Sequence, residues 1–147
     1  PDASTRRVVV VAQEGWHEGV VGIVASKLVE RFHLPSVVLS IKDGVAKGSA
    51  RSIQGFHLVD NLREVEELLT AFGGHYHAAG MTLPAERVPE LRSALDGLAR
   101  AQLDEDHLTR RIRVDAEVPL DLLTYELAET LLLRRSREAK GLLKTKL

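Results

Sequence analysis

The chain has 147 residues, 44% of them hydrophobic, a formal net charge of −1 and no cysteine. That is enough for one domain, or one domain and part of a second. It excludes a disulfide framework, a thiolate metal site, a cysteine nucleophile, a membrane span of about 20 apolar residues, and a protein that wraps nucleic acid through bulk positive charge. Any nucleic-acid binding has to come from a local basic site.

The start, Pro1-Asp2-Ala3-Ser4-Thr5-Arg6-Arg7, has neither a methionine nor the apolar core of a signal peptide. We expect a piece of a longer, cytoplasmic protein. Val8-Val9-Val10-Val11 is β-branched and predicts a buried strand ending near Gln13-Glu14-Gly15. Val20, Val21, Ile23, Val24, Leu28, Val29 and Phe32 then follow at helical spacing, and Pro35 is expected to stop that helix. Val37-Val38-Leu39-Ser40-Ile41 predicts a second strand. Asp43-Gly44 is a hairpin signal, with 45–52 as the returning strand.

Leu58, Leu62, Val65, Leu69 and Phe72 form one stripe, with Asp60, Arg63, Glu64 and Glu67 facing away. This predicts a helix closed by Gly73-Gly74 as C-cap glycines. A strand over 78–83 follows, then a helix opened by Pro89 with Leu91, Leu95 and Leu98 inside. Residues 109–118 alternate like a half-exposed strand, and 120–133 read as a fourth helix before a basic tail. The order β-α-β-β-α-β-α predicts an α/β fold, a mixed sheet flanked by helices. We place the domain over 1–103, with 104–147 as a linker and the start of another domain.

Two stretches carry the chemistry. In Gly48-Ser49-Ala50-Arg51-Ser52, small residues alternate with hydroxyls and a guanidinium, just after Lys47. Arginine can grip a phosphate through paired hydrogen bonds, and serine adds neutral donors. The same residues also fit an edge strand with ordinary polar side chains. In Gly73-Gly74-His75-Tyr76-His77-Ala78-Ala79-Gly80, flexible backbone and imidazole suit anion binding and polarisation of a phosphate oxygen. His75 and His77 could share a metal, but no carboxylate or cysteine stands beside them, so a phosphate site is preferred.

Gly15-Trp16-His17-Glu18-Gly19 precedes the first helix. His17 and Glu18 could form an acid–base pair or cap the helix, and Trp16 could stack on a base or sit in the core; capping and core are preferred. Asp104-Glu105-Asp106-His107 has metal-ligand residues but no shaping turn, and is expected to be a solvated linker. The basic tail is expected to be solvated too.

In order and spacing, 15–26, Gly48-Ser49-Ala50-Arg51-Ser52 and Phe72-Gly73-Gly74-His75 with Ala78-Ala79-Gly80 resemble the DHH-associated domain of RecJ-family exonucleases. That resemblance covers roughly residues 8–100. It implies a 5′-to-3′ single-stranded-DNA exonuclease of repair and recombination, using Mn2+ or Mg2+ for phosphodiester hydrolysis. By resemblance, Ser49, Arg51 and Ser52 hold phosphate, and Gly74 and His75 face the scissile region, with His75 as the catalytic candidate. Lys47, His17 and Gly73 complete the expected phosphate contacts. The metals belong to an upstream DHH domain, because this chain has no Asp-His-His triplet: Asp106-His107 is followed by Leu108. No metal is expected here. The expected partners are single-stranded DNA and that DHH domain, with no membrane. The piece alone should bind and not cut. Residues 110–133 resemble the start of an oligonucleotide-binding domain, cut short. Two alternatives stand beside this reading: a DHH-family phosphodiesterase for short RNA or cyclic dinucleotides, and a non-catalytic nucleic-acid-binding module.

Overall fold

β-Branched residues form two neighbouring strands, β1 (Val9–Glu14) and β2 (Ser36–Lys42). A computed structural model describes residues 6–110, 124–127 and 129–130. β1 and β2 run parallel, from Val9 opposite Ser36 to Glu14 opposite Ile41. Parallel neighbours need a crossover, supplied by α1 (Val21–Phe32). This helix ends before Pro35 is reached. His33 takes a left-handed conformation (φ 53°), and its N–H donates to the Val29 carbonyl at 2.8 Å.

Asp43 (φ 50°) and Gly44 (φ 76°) then make the two-residue reversal expected of Asp-Gly. β3 (Val45–Arg51) returns antiparallel to β2. β5 (Ala78–Pro84) pairs with β3, and β4 (Ala71–Gly74) pairs with β5, giving the order β1-β2-β3-β5-β4. The result is the expected mixed sheet with flanking helices.

One expected element is different. The helix predicted through Phe72 stops early: α2 is Leu58–Arg63, a 3-10 turn spans Glu66–Leu68, and the chain then extends into β4. Gly73 and Gly74 are therefore strand residues, not a helix cap. The short helix and the turn already bury Leu58, Leu62, Val65 and Leu68. Phe72 reaches the core from β4, opposite Met81. Pairing the open edge of β5 satisfies backbone groups that a longer helix would have left to solvent.

α3 (Val88–Gln102) has proline in its first turn, as expected, and buries Leu91, Leu95 and Ala99, with Leu98 partly covered. The expected linker begins with a helical turn, α4 (Glu105–Leu108), on which Glu105 and Asp106 are exposed. Asp104 caps it, its carboxylate accepting the His107 N–H at 2.9 Å, and Leu108 packs against the core.

The helices lie on both faces of the sheet. Val37, Leu39, Ala46, Ala50, Ala79, Met81 and Leu83 share the main core with α2 and α3. Val38 shares a smaller one with Val21 and Ala25 of α1. Asn61, buried on α2, exchanges amide hydrogen bonds with Gln102 of α3 at 2.7 and 3.1 Å.

Asp96 on α3 fastens the start of β1: its carboxylate accepts the Arg7 N–H at 2.7 Å and pairs with Arg100 at 2.8 Å. Partial burial pushes its pKa up, but the Arg7 N–H and the Arg100 side chain outweigh that and hold it below the usual carboxylate range. A depressed folded-state pKa contributes stability above the unfolded value, and that contribution is lost as pH falls through the folded value. Asp96→Asn should therefore lower the melting temperature at pH 7, with the gap to wild type closing below about pH 3.9. Melts across pH 2.5–7 check this; a gap that stays constant would remove Asp96 from the acid response.

The chain divides into two compact units between Arg110 and Arg111. In the second unit, residues 125–127, 129 and 130 are helical, within the helix expected over 120–133. From residue 111, the expected strand and the rest of the proposed oligonucleotide-binding segment lie outside the described residues, as does the basic tail.

Candidate nucleic-acid interface

Strand alternation sorts β3 into two faces. Ala46 and Ala50 point into the main core. Lys47, Ser49 and Arg51 occupy the opposite face, where α1 packs on β2 and β3. Their neighbours across β5 are Thr82, Gly80 and Ala78, and β4 adds Ala71 opposite Thr82 and Gly73 opposite Gly80. Small residues thus floor this side of the sheet beside a line of polar ones. Lys47, Ala71, Gly73, Gly80 and Thr82 line an open groove of about 290 Å3 here.

Arg51 lies back along its own strand. Its Nη1 donates to Ser49 Oγ at 2.7 Å and to the Ala50 carbonyl at 2.8 Å. Gly22, in the first turn of α1, lets the helix sit on this pair: a Cβ there would be 3.0 Å from Arg51 Nη2 and 3.4 Å from Ser49 Oγ. The N-cap of α1, Val20, offers no side-chain cap, and the first turn holds no acidic residue. Uncapped N–H groups, a guanidinium and a hydroxyl therefore stand close together, an arrangement that favours an anion.

Lys47 is exposed and pairs with Glu18 at 3.0 Å, a contact of little energetic weight at this exposure. Glu18 therefore turns to Lys47, and neither residue caps α1 as expected: His17 shapes the approach to it, its Nδ1 accepting the Gly19 N–H at 3.0 Å and its carbonyl the Val20 N–H at 3.1 Å. His17 also lines a second open cavity, of about 500 Å3, with Trp16, Ser40 and Lys42. Trp16 packs partly buried against the small core under α1.

The glycine-histidine segment is a hairpin between β4 and β5, closed by the His75 N–H donating to the Ala78 carbonyl at 2.7 Å. Gly74 (φ 152°) ends β4 where a Cβ would fall 2.5 Å from the Ala79 Cα. Three further bonds tie the hairpin to the segment after β3. Ser52 N–H donates to the His77 carbonyl at 3.0 Å, Leu58 N–H to the Tyr76 carbonyl at 3.0 Å, and Gly55 N–H to the Tyr76 hydroxyl at 2.8 Å. Ser52 Oγ is likewise engaged, donating to the Phe56 carbonyl at 2.7 Å. Ser52 thus serves to join the two loops. His75 and His77 are exposed.

The fold brings Lys47, Ser49, Arg51, Gly73, Gly74 and His75 to one side and one end of the sheet, with His17 beside the neighbouring cavity. Sequence reasoning passed over the roles of Tyr76 and Gly22. An aromatic between two histidines in a glycine-flanked loop, and Gly22 four residues before Ser26 on a helix, were the available signals. Among the described residues, no three His, Cys, Asp or Glu side chains are placed to hold a metal ion. Mn2+ or Mg2+ has no fitting site on them. No described helix is long and apolar enough to cross a membrane.

A family model described as the DHHA1 domain matches residues 5–101. The single-stranded-DNA-specific exonuclease RecJ of Bacillus subtilis (strain 168) is 52% identical over 120 residues, which cover 80% of this chain and 15% of that protein. RecJ of Escherichia coli (strain K12) is 37% identical over 121 residues, covering 79% and 21%. Among solved structures, RecJ from Thermus thermophilus in complex with Mg2+ aligns with TM-score 0.61 and 29% identity, over 67% of this chain and 15% of that one. The C-Ala domain of Aquifex aeolicus alanyl-tRNA synthetase shares the fold, with TM-score 0.50 and 19% identity over 61% of this chain and 91% of that one. The chain spans about a fifth or less of the length of the first curated relatives it matches. The family model, the mixed sheet and the similarity to RecJ agree, and the chain belongs to the DHHA1 domain family.

Proposed function

We propose that this chain is the strand-gripping part of a RecJ-like 5′-to-3′ single-stranded-DNA exonuclease acting in repair and recombination in the cytoplasm. Residues 1–103 form the gripping domain, and 104–147 lead into an oligonucleotide-binding domain. One observation carries the reading: Lys47, Ser49 and Arg51 line up on one face of β3, beside a groove floored by Gly73 and Gly80 and ended by the His75 hairpin. A phosphate against Arg51 and Ser49 would also meet the first turn of α1. Small floor residues let the sugar-phosphate backbone approach the sheet closely. Hydrolysis belongs to an upstream DHH domain holding Mn2+ or Mg2+, and His75 faces the scissile phosphate from this side.

Anisotropy titrations with 5′-labelled single-stranded DNA test the grip, and nucleotide release after adding a RecJ DHH domain tests the chemistry. Arg51→Ala should weaken binding by about tenfold or more and reduce the salt slope by about one. His75→Ala should largely spare binding and slow release. If neither variant changes binding or release, the site assignment is wrong. Release from dinucleotides but not from long strands would favour the short-RNA or cyclic-dinucleotide alternative. Binding with no release would favour the non-catalytic module.

A further inference from the structure

Three rings form a ladder at the end of the sheet. His57, the N-cap of α2, meets Tyr76 edge-on with centroids 4.7 Å apart. Tyr76 meets His77 at 4.4 Å and 60°. The middle ring is fixed by its hydroxyl on Gly55 N–H and its carbonyl on Leu58 N–H. The outer ring, His77, is exposed. Its carbonyl bonds to Ser52 N–H, and the next residue, Ala78, lies opposite Arg51 in the sheet. The ladder therefore stands at the same end of the sheet as Arg51, one residue along in backbone register.

A binder of single strands needs aromatic faces for the bases, because every base offers a π-face. This chain has few to offer. Phe56 is buried, Phe72 packs on the main core, and Trp16 packs under α1; Phe32 is exposed but lies beside β1, and the exposed Tyr125 belongs to the second unit. Of the two exposed imidazoles on the hairpin, His75 is assigned to the scissile phosphate, which leaves His77, braced by Tyr76, and histidine is among the side chains that stack on unpaired bases.

We propose that His77, braced by Tyr76 and His57, is a stacking step for one nucleobase of the strand held at Arg51. This rests on the phosphate-grip reading. His77 is a positioning residue: it contributes through the base, while Arg51 contributes through the backbone.

The full chain is titrated at low salt with (dT)12 and with a 12-unit abasic deoxyribose-phosphate strand of the same charge. Wild type should favour (dT)12. His77→Ala should lose about tenfold for (dT)12 and nothing for the abasic strand, and His77→Phe should restore binding. Arg51→Ala should weaken both strands. If Arg51→Ala weakens both while His77→Ala binds (dT)12 like wild type, the stacking step is overturned and the grip stands. If Arg51→Ala changes neither, the grip itself fails. A wild-type chain that does not favour (dT)12 over the abasic strand overturns the stacking step as well. His77 is exposed, so its replacement leaves the core untouched.

Discussion

Gly48→Ala is expected to cost the fold about 3 kcal/mol or more, and to lower the melting temperature by on the order of 15 °C. Gly48 lies mid-strand in β3, opposite Leu39, with β2 on one side and β5 on the other. A Cβ there would be driven into the Val38 carbonyl and would lie 2.8 Å from the Leu39 Cα. Both obstacles are backbone of a central strand, so no side-chain rotation gives relief. The strands must part in the middle of the sheet, and Val37, Leu39 and Ala50 lose their fit in the main core. Gly97→Ala is the internal control: nothing lies within 4 Å of its added methyl group on α3, and alanine is the better helix former. Thermal melts of the two variants should move in opposite directions. A Gly48→Ala protein melting with wild type would mean that β2 and β3 do not approach this closely.

Gly74→Ala should damage fold and binding together. The residue sits at φ 152°, where L side chains are rare, and its Cβ would meet the Ala78 carbonyl and the Ala79 Cα and Cβ. We expect a local cost of about 2 kcal/mol. The displaced hairpin carries His75 and His77 with it, so strand affinity should fall about tenfold or more. Gly73→Ala separates the two effects. Its added methyl group meets nothing within 4 Å, so stability should hold while the groove it lines narrows. Melting curves and strand titrations of both variants check this. A Gly74→Ala chain that keeps wild-type affinity would show that the hairpin takes no part in the grip.

The first half of the fold was legible because local and long-range preferences agree there. β-Branched runs became β1 and β2, helical spacing became α1, and Asp43-Gly44 made the turn. The stretch from Val65 to Gly74 was not legible. Val65, Leu69 and Phe72 fit a helical stripe, and Ala-Phe-Gly-Gly has little strand preference of its own. β4 forms because β5, later in the chain, offers it an edge, a partner that its own residues do not announce. The site followed the same division. Lys47, Ser49 and Arg51 were readable as alternate residues of one strand. The convergence of Gly22 and α1 on that strand depends on the crossover, and Tyr76's role depends on His57 and on Gly55, which is 21 residues away.

The anchoring of the β4–β5 hairpin has a kinetic meaning. Three hydrogen bonds from backbone N–H groups hold the tip against the 52–58 segment, which restricts its conformational freedom ahead of any docking. On the proposed reading, a strand docking there would not wait for the tip to close, and little ordering entropy would be subtracted from its affinity at that moment. Differences between tight and weak strands would then lie in how long each stays, with arrival governed by diffusion and the local positive charge.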